Sequence, residues 1–123
     1  MKLISAANYF VVFLLLALST CSKLNAQNTN INPIKFVQFY VVGISSLNES
    51  RTIDNYIKAQ SGVKMSRTDH RSRIFFCIFD NNTNINEITF INWLGGLGFQ
   101  ISCYREGKHG VDKVYSKEGY ICD

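Results

Sequence analysis

Soft-metal and thiol chemistry in this 123-residue chain would have to come from Cys21, Cys77, Cys103 and Cys122, with His70 and His109 beside them. None stands at a Cys-x-x-Cys or His-x-x-x-His spacing, so nothing supports a compact zinc site. Cys77 alternates with Phe75 and Phe79 in the run RIFFCIF. That is the place of a small packed residue, whereas a catalytic thiol needs a histidine and an electropositive pocket. Ser45, Ser46 and Glu49 offer different chemistry: two hydroxyls and a carboxylate that could hold a hard cation or a small polar ligand. The same Ser46-Leu47-Asn48-Glu49 stretch spells a capping box, which is the more economical reading. No acid/base pair, nucleophile triad or phosphate loop is present, so neither an enzyme nor a cofactor is expected.

Compartment bears on the cysteines. The segment 1–26 has an early Lys2 and the apolar run Tyr9 to Leu18, too short to span a bilayer and laid out as an export signal. Cleavage after Ala26 is favoured. Lipidation at Cys21, which would place the protein on a membrane, and an uncleaved anchor remain alternatives. The expected location is periplasmic or extracellular. Cleavage removes Lys2 and Lys23 and lowers the formal charge from +4 to +2. That is too near neutral to argue for nucleic acid. It leaves Cys77, Cys103 and Cys122 in an oxidising compartment. A Cys103–Cys122 disulfide tying the tail to the last strand is the favoured pairing, with a free or interchain thiol left open by the odd count.

Stepping outward to the elements, 27–33 reads as a flexible lead-in ending at Pro33. IKFVQFYVVGI, from Ile34 to Ile44, is strand-like in its β-branched and aromatic content. A helix then begins at the Ser46 cap, carries Ile53, Tyr56 and Ile57 at helical spacing, and stops at Ser61-Gly62. Val63 to Thr68 and Arg73 to Phe79 are two more strands, joined by a turn at Asp69-His70. Asn84 with Glu87 offers a second helix start, with Ile88, Ile91, Leu94 and Leu97 along one side. Phe99 to Tyr104 is the last strand. The order predicts a ferredoxin-like βαββαβ fold over 34–104: a four-stranded antiparallel sheet with two helices on one face, of class α+β. The tail, 105–123, could form a hairpin. Lys64, Arg67, Arg71 and Arg73 gather around Asp69. This is a solvated edge or, functionally, a contact for anionic lipid or glycan.

At this point the chain resembles the heavy-metal-associated domain of metallochaperones and transport ATPases. Val41-Val42-Gly43-Ile44 resembles the strand that ends in Gly-Met before that family's metal loop, and Ser61-Gly62-Val63 resembles its Pro-Gly-Val. Phe79-Asp80 and Leu97-Gly98-Phe99 resemble its Tyr-Asp and Ala-Gly-Tyr. The family's Met-x-Cys-x-x-Cys falls on Ile44, Ser46 and Glu49. Both thiolates are missing, and a hydroxyl with a carboxylate does not replace them for a soft ion. The resemblance therefore implies the fold with a degenerate metal site.

One pattern breaks the expected alternation of a half-covered sheet. The first and third strands are apolar at both parities. Alignment with the family turns Val41 and Cys77 inward and leaves Phe36, Tyr40, Ile74, Phe76 and Ile78 on the face away from the helices. Either the tail covers this patch, or it docks a protein partner, a second copy or a hydrophobic ligand. The sequence thus reads as an exported, non-enzymatic binding module. Metal trafficking through unconventional ligands and a peptidoglycan-binding domain of the sporulation-related type are the alternatives.

Overall fold

The computed structural model describes residues 33–122. The expected export signal, the lead-in before Pro33 and Cys21 lie outside the described residues. The elements follow as β1 (Ile34–Val42), α1 (Leu47–Lys58), β2 (Val63–Thr68), β3 (Ile74–Asp80), α2 (Glu87–Gly96) and β4 (Gln100–Lys108). The strands form one antiparallel sheet in the order β2-β3-β1-β4. This is the ferredoxin-like arrangement that the sequence predicts.

The helices cover one face. Val37, Phe39 and Val41 of β1 and Phe75, Cys77 and Phe79 of β3 point to that side and are fully or almost fully buried. Ile53 and Ile57 of α1 and Phe90 and Leu94 of α2 close over them in a single cluster. Phe90 is the hub, with ring centroids 5.5 Å from Phe39, 5.8 Å from Phe75 and 5.4 Å from Trp93.

The inward side of α2 differs from expectation. Ile88 and Ile91 are 66% and 46% exposed, while Phe90 and Leu94 face the core. The helix is apolar nearly all round, so two stripes satisfy the same periodicity. The stripe carrying the larger aromatic wins, because burying Phe90 removes more apolar surface from water than burying either isoleucine. Its start differs too. The cap is Asn86, whose side chain accepts from the Thr89 N–H, and the Thr89 hydroxyl accepts in return from the Asn86 N–H at 3.1 Å. At the other end Phe99 N–H donates to the Leu94 carbonyl and Gly98 N–H to that of Gly95, with Gly98 at φ +92°. This Schellman closure lets the helix run through Gly95 and Gly96 instead of stopping before them.

The α1 helix is tied to the edge strand β2 through one carboxylate. Asp54 accepts from the Ser66 and Thr68 hydroxyls at 3.0 and 2.8 Å and from the Thr68 backbone N–H at 3.1 Å.

β4 runs past Tyr104 to Lys108, and the predicted tail hairpin does not form: among the described residues, those after Lys108 hold turns and no strand. Opposite Phe39, β4 carries a bulge. Gln38 pairs with Arg105 and Tyr40 with Ser102, so Cys103 and Tyr104 together face one residue of β1. Cys103 sits at φ +56°, a left-handed conformation unusual for a residue with a Cβ. The bulge lets Tyr104 stack on Phe39 on the inner face, while Cys103 is freed to meet the tail.

Candidate functional site

The outer face of the sheet divides in two. Over β1 and β4 the tail folds back as a strap. Val111 and Asp112 N–H donate to the Lys108 carbonyl, and the Asp112 carboxylate accepts from the Lys108 N–H, which reverses the chain. Gln38, 2% exposed in mid-sheet, then treats Tyr115 as a neighbouring strand. Its Nε2 donates to the Tyr115 carbonyl at 2.8 Å and its Oε1 accepts from the Tyr115 N–H at 3.1 Å. The same Oε1 accepts from Arg105 at 2.6 Å. The Arg105 guanidinium lies 4.1 Å from the Tyr115 ring centroid and 5.7 Å from that of Phe36. Further along, Tyr120 stands edge-on to Tyr40 at 5.0 Å; its carbonyl accepts from the Tyr40 hydroxyl and its own hydroxyl donates to the Cys103 carbonyl. Burial pushes the Tyr120 phenol up to about 12. Cys122 closes the strap by a disulfide to Cys103, with the Cα atoms 5.3 Å apart, within the usual range for a bridge.

Phe36 and Tyr40 therefore stand on the predicted face but are not open to a partner. Phe36 is fully buried and Tyr40 half-buried. Packing over Phe36 is close enough to require a glycine: a Cβ at Gly107 would lie 2.8 Å from the Phe36 ring and 2.9 Å from Asp112 Cβ.

Over β2 and β3 the face is uncovered. Ile74, Phe76 and Ile78 all point outward and are half-buried, alternating with the buried Phe75, Cys77 and Phe79. Met65 and Arg67 are their cross-strand neighbours on β2, opposite Ile78 and Phe76. Phe76 bridges the two halves through Phe36, ring to ring at 5.9 Å. A groove of about 920 Å³ runs from Ile74 and Phe76 to Val114 and Tyr115 of the strap.

The loop before α1 is a cap. Ser46 Oγ accepts from the Glu49 N–H at 3.2 Å, as the spelling predicts. The returning carboxylate overshoots the expected Ser46 N–H and takes that of Ser45 at 3.2 Å. The same Glu49 oxygen accepts from both serine hydroxyls, at 2.9 and 3.0 Å. These hydroxyls hold its carboxyl below the usual range. Their protons are aimed at the carboxylate, so the loop's oxygens already serve one another.

The remaining metal-capable residues are dispersed. His70 lies in the β2–β3 turn and His109 in the turn after β4, and no group of three His, Cys, Asp or Glu side chains gathers among the described residues. Cys77 is buried in the core, and desolvation with the nearby Asp54 charge pushes its thiol up to about 12, which leaves it unreactive at neutral pH. Sequence reasoning missed Gln38, Arg105 and Gly107. Gln38 did leave a signal: it is the one uncharged polar residue within IKFVQFYVV.

No protein-family model matches the chain, and no curated protein matches it by sequence. Two solved structures do. A CopZ metallochaperone is 10% identical with a TM-score of 0.51, the match covering 55% of this chain and 98% of that one. A copper binding domain from HMA7, a P-type ATPase, is 16% identical with a TM-score of 0.51, the match covering 61% of this chain and 97% of that one. The chain has the ferredoxin-like fold of these copper domains.

Proposed function

We propose that this is a non-enzymatic binding module of an exported protein, with its partner surface on the uncovered half of the outer sheet face. One observation carries the reading. Half of that face is sealed by the chain's own tail, while the adjoining Ile74, Phe76 and Ile78 are only partly buried. Apolar side chains set together on a sheet are ordinarily covered by something. The signal-like segment 1–26 and the Cys103–Cys122 bridge support export, since such a bridge persists in oxidising compartments.

Metal trafficking ranks below this reading because the loop lacks both thiolates a soft ion needs, and Ser45, Ser46 and Glu49 are already joined in a helix cap through Glu49 Oε1. Copper binding tests the metal alternative, and loss of partner binding in Phe76→Asp tests the docking surface. Copper(I) titration should give no site that depends on Ser46 or Glu49. The Ser46→Cys, Glu49→Cys variant should gain one, because the loop keeps the family's position in the fold. Tight copper binding by the parent chain, lost in Ser46→Ala, Glu49→Ala, would sink the proposed division of roles.

A further inference from the structure

We propose that the uncovered groove takes an extended acidic peptide segment carrying an apolar side chain. The inference rests on the docking reading above and names its ligand class. The floor is apolar, Ile74 and Phe76 from β3, and Val114 and Tyr115 of the strap form an apolar wall. Cations stand on both sides of it. Arg67 is the cross-strand partner of Phe76 and shares its face. Arg71 extends from the β2–β3 turn, and Lys117 lines the strap side.

Charge decides the occupant. Among the described residues neither arginine forms an ion pair, and Lys117 has only a solvent-exposed contact with Glu118 at 3.9 Å. Two carboxylates also line the groove, Asp54 and Asp69, and both are engaged within the chain. Asp54 accepts from Ser66 and Thr68. Asp69 accepts from the Arg71 N–H at 3.1 Å and the Ser72 hydroxyl at 2.9 Å, which hold its carboxyl below the usual range. The lining therefore sets three cations against two carboxylates that keep their charge but are held by hydrogen bonds within the chain, a formal excess of one positive charge beside the apolar residues. A second copy fits this poorly, because a two-fold interface sets the same patch, with its excess of positive charge, on both sides. A bilayer fits poorly as well. The strap forms one wall of the groove, and a flat lipid surface would meet that wall before the floor. An extended peptide can enter, with carboxylates for the arginines and one side chain for the space over Phe76.

The test is a random peptide library panned on the disulfide-intact chain. Selected peptides are then measured by fluorescence anisotropy against Arg67→Glu, Arg71→Glu and against Phe76→Asp, each checked for native circular dichroism. The expected result is enrichment of Asp- and Glu-containing peptides with an apolar residue. They should lose about ten-fold or more in affinity to the charge-reversed variant and weaken as salt rises. Peptides that need Phe76 but ignore Arg67 and Arg71 would overturn the acidic assignment and leave the docking reading standing. No Phe76-dependent peptide at all would overturn both. Phosphatidylglycerol vesicles that bind the parent chain and are lost with either variant would replace the peptide by a membrane.

Discussion

The two halves of the outer sheet face begin with the same kind of residue and end differently. Phe36 and Phe76 are neighbouring phenylalanines with rings 5.9 Å apart, yet one is sealed and the other half-open. The difference lies in what stands beside them. Next to Phe36 the sheet carries Gln38, an amide that can pair with a passing backbone, and Arg105, which clamps the passing aromatic. Phe76 is the cross-strand partner of that same Gln38, but the amide is already engaged by Tyr115 and Arg105. Along β3 Phe76 is flanked by Ile74 and Ile78, which offer a passing backbone no hydrogen bond. Apolar surface alone does not direct a chain across a sheet. A polar pair that fixes the path does, because an irregular segment must satisfy its own N–H and C=O groups wherever it lies.

The phenylalanine pair gives the sharpest test. Phe36→Ala should cost about 3–5 kcal/mol, the range for emptying a packed aromatic site. Phe76→Ala should cost on the order of 1 kcal/mol, because less surface leaves the protein interior. Urea unfolding of both variants measures the difference, and equal losses would erase the distinction between the halves. Next in size is the bridge. Cys103→Ser or Cys122→Ser should lower stability by about 3 kcal/mol, as expected for cross-links of this loop length. Hydrogen exchange at Tyr115 should rise with it. Gln38→Ala should cost about 2 kcal/mol, since the Tyr115 N–H and C=O lose their partners. Its exchange signature should appear in the strap and not in β2 or β3. The smallest effect belongs to the loop before α1. The Glu49 carboxyl is held below its usual range by the serine hydroxyls. The cap should therefore be intact above the ordinary carboxylate range and loosen as pH falls through the depressed value. An NMR titration would follow this at the Ser45 amide, and Glu49→Gln should abolish the dependence.

Much of the fold was legible from local chemistry. Ser46 and Glu49 spell a cap, and the strand content of 34–42 and 74–80 is plain. The α1 helix ends at Lys58, short of the expected Ser61-Gly62 stop, and Gly62 at φ +86° serves the turn into β2. What resisted reading depends on distance or on degeneracy. Asn84 and Asn86 both make acceptable caps, and Thr89 decided for the second through a bond only geometry can reveal. The α2 stripe was ambiguous because Ile88, Phe90, Ile91 and Leu94 are all apolar. The end of β4 was hidden because Cys103 and Tyr104 break the period of two and charged residues follow. The strap was anticipated as a cover for the face, and its register was not. Gln38 and Tyr115 lie 77 positions apart, and nothing in either neighbourhood names the other.

The Asp54 carboxylate on the Thr68 N–H has a consequence for assembly. Sheets of this kind grow into fibres when an outermost strand presents free backbone donors to a stranger. Here that donor on β2 is already taken from within, and on the opposite flank the kink at Cys103 spoils the straight template a newcomer would need. Growth by adding strands is hindered at both borders by contacts the fold already makes.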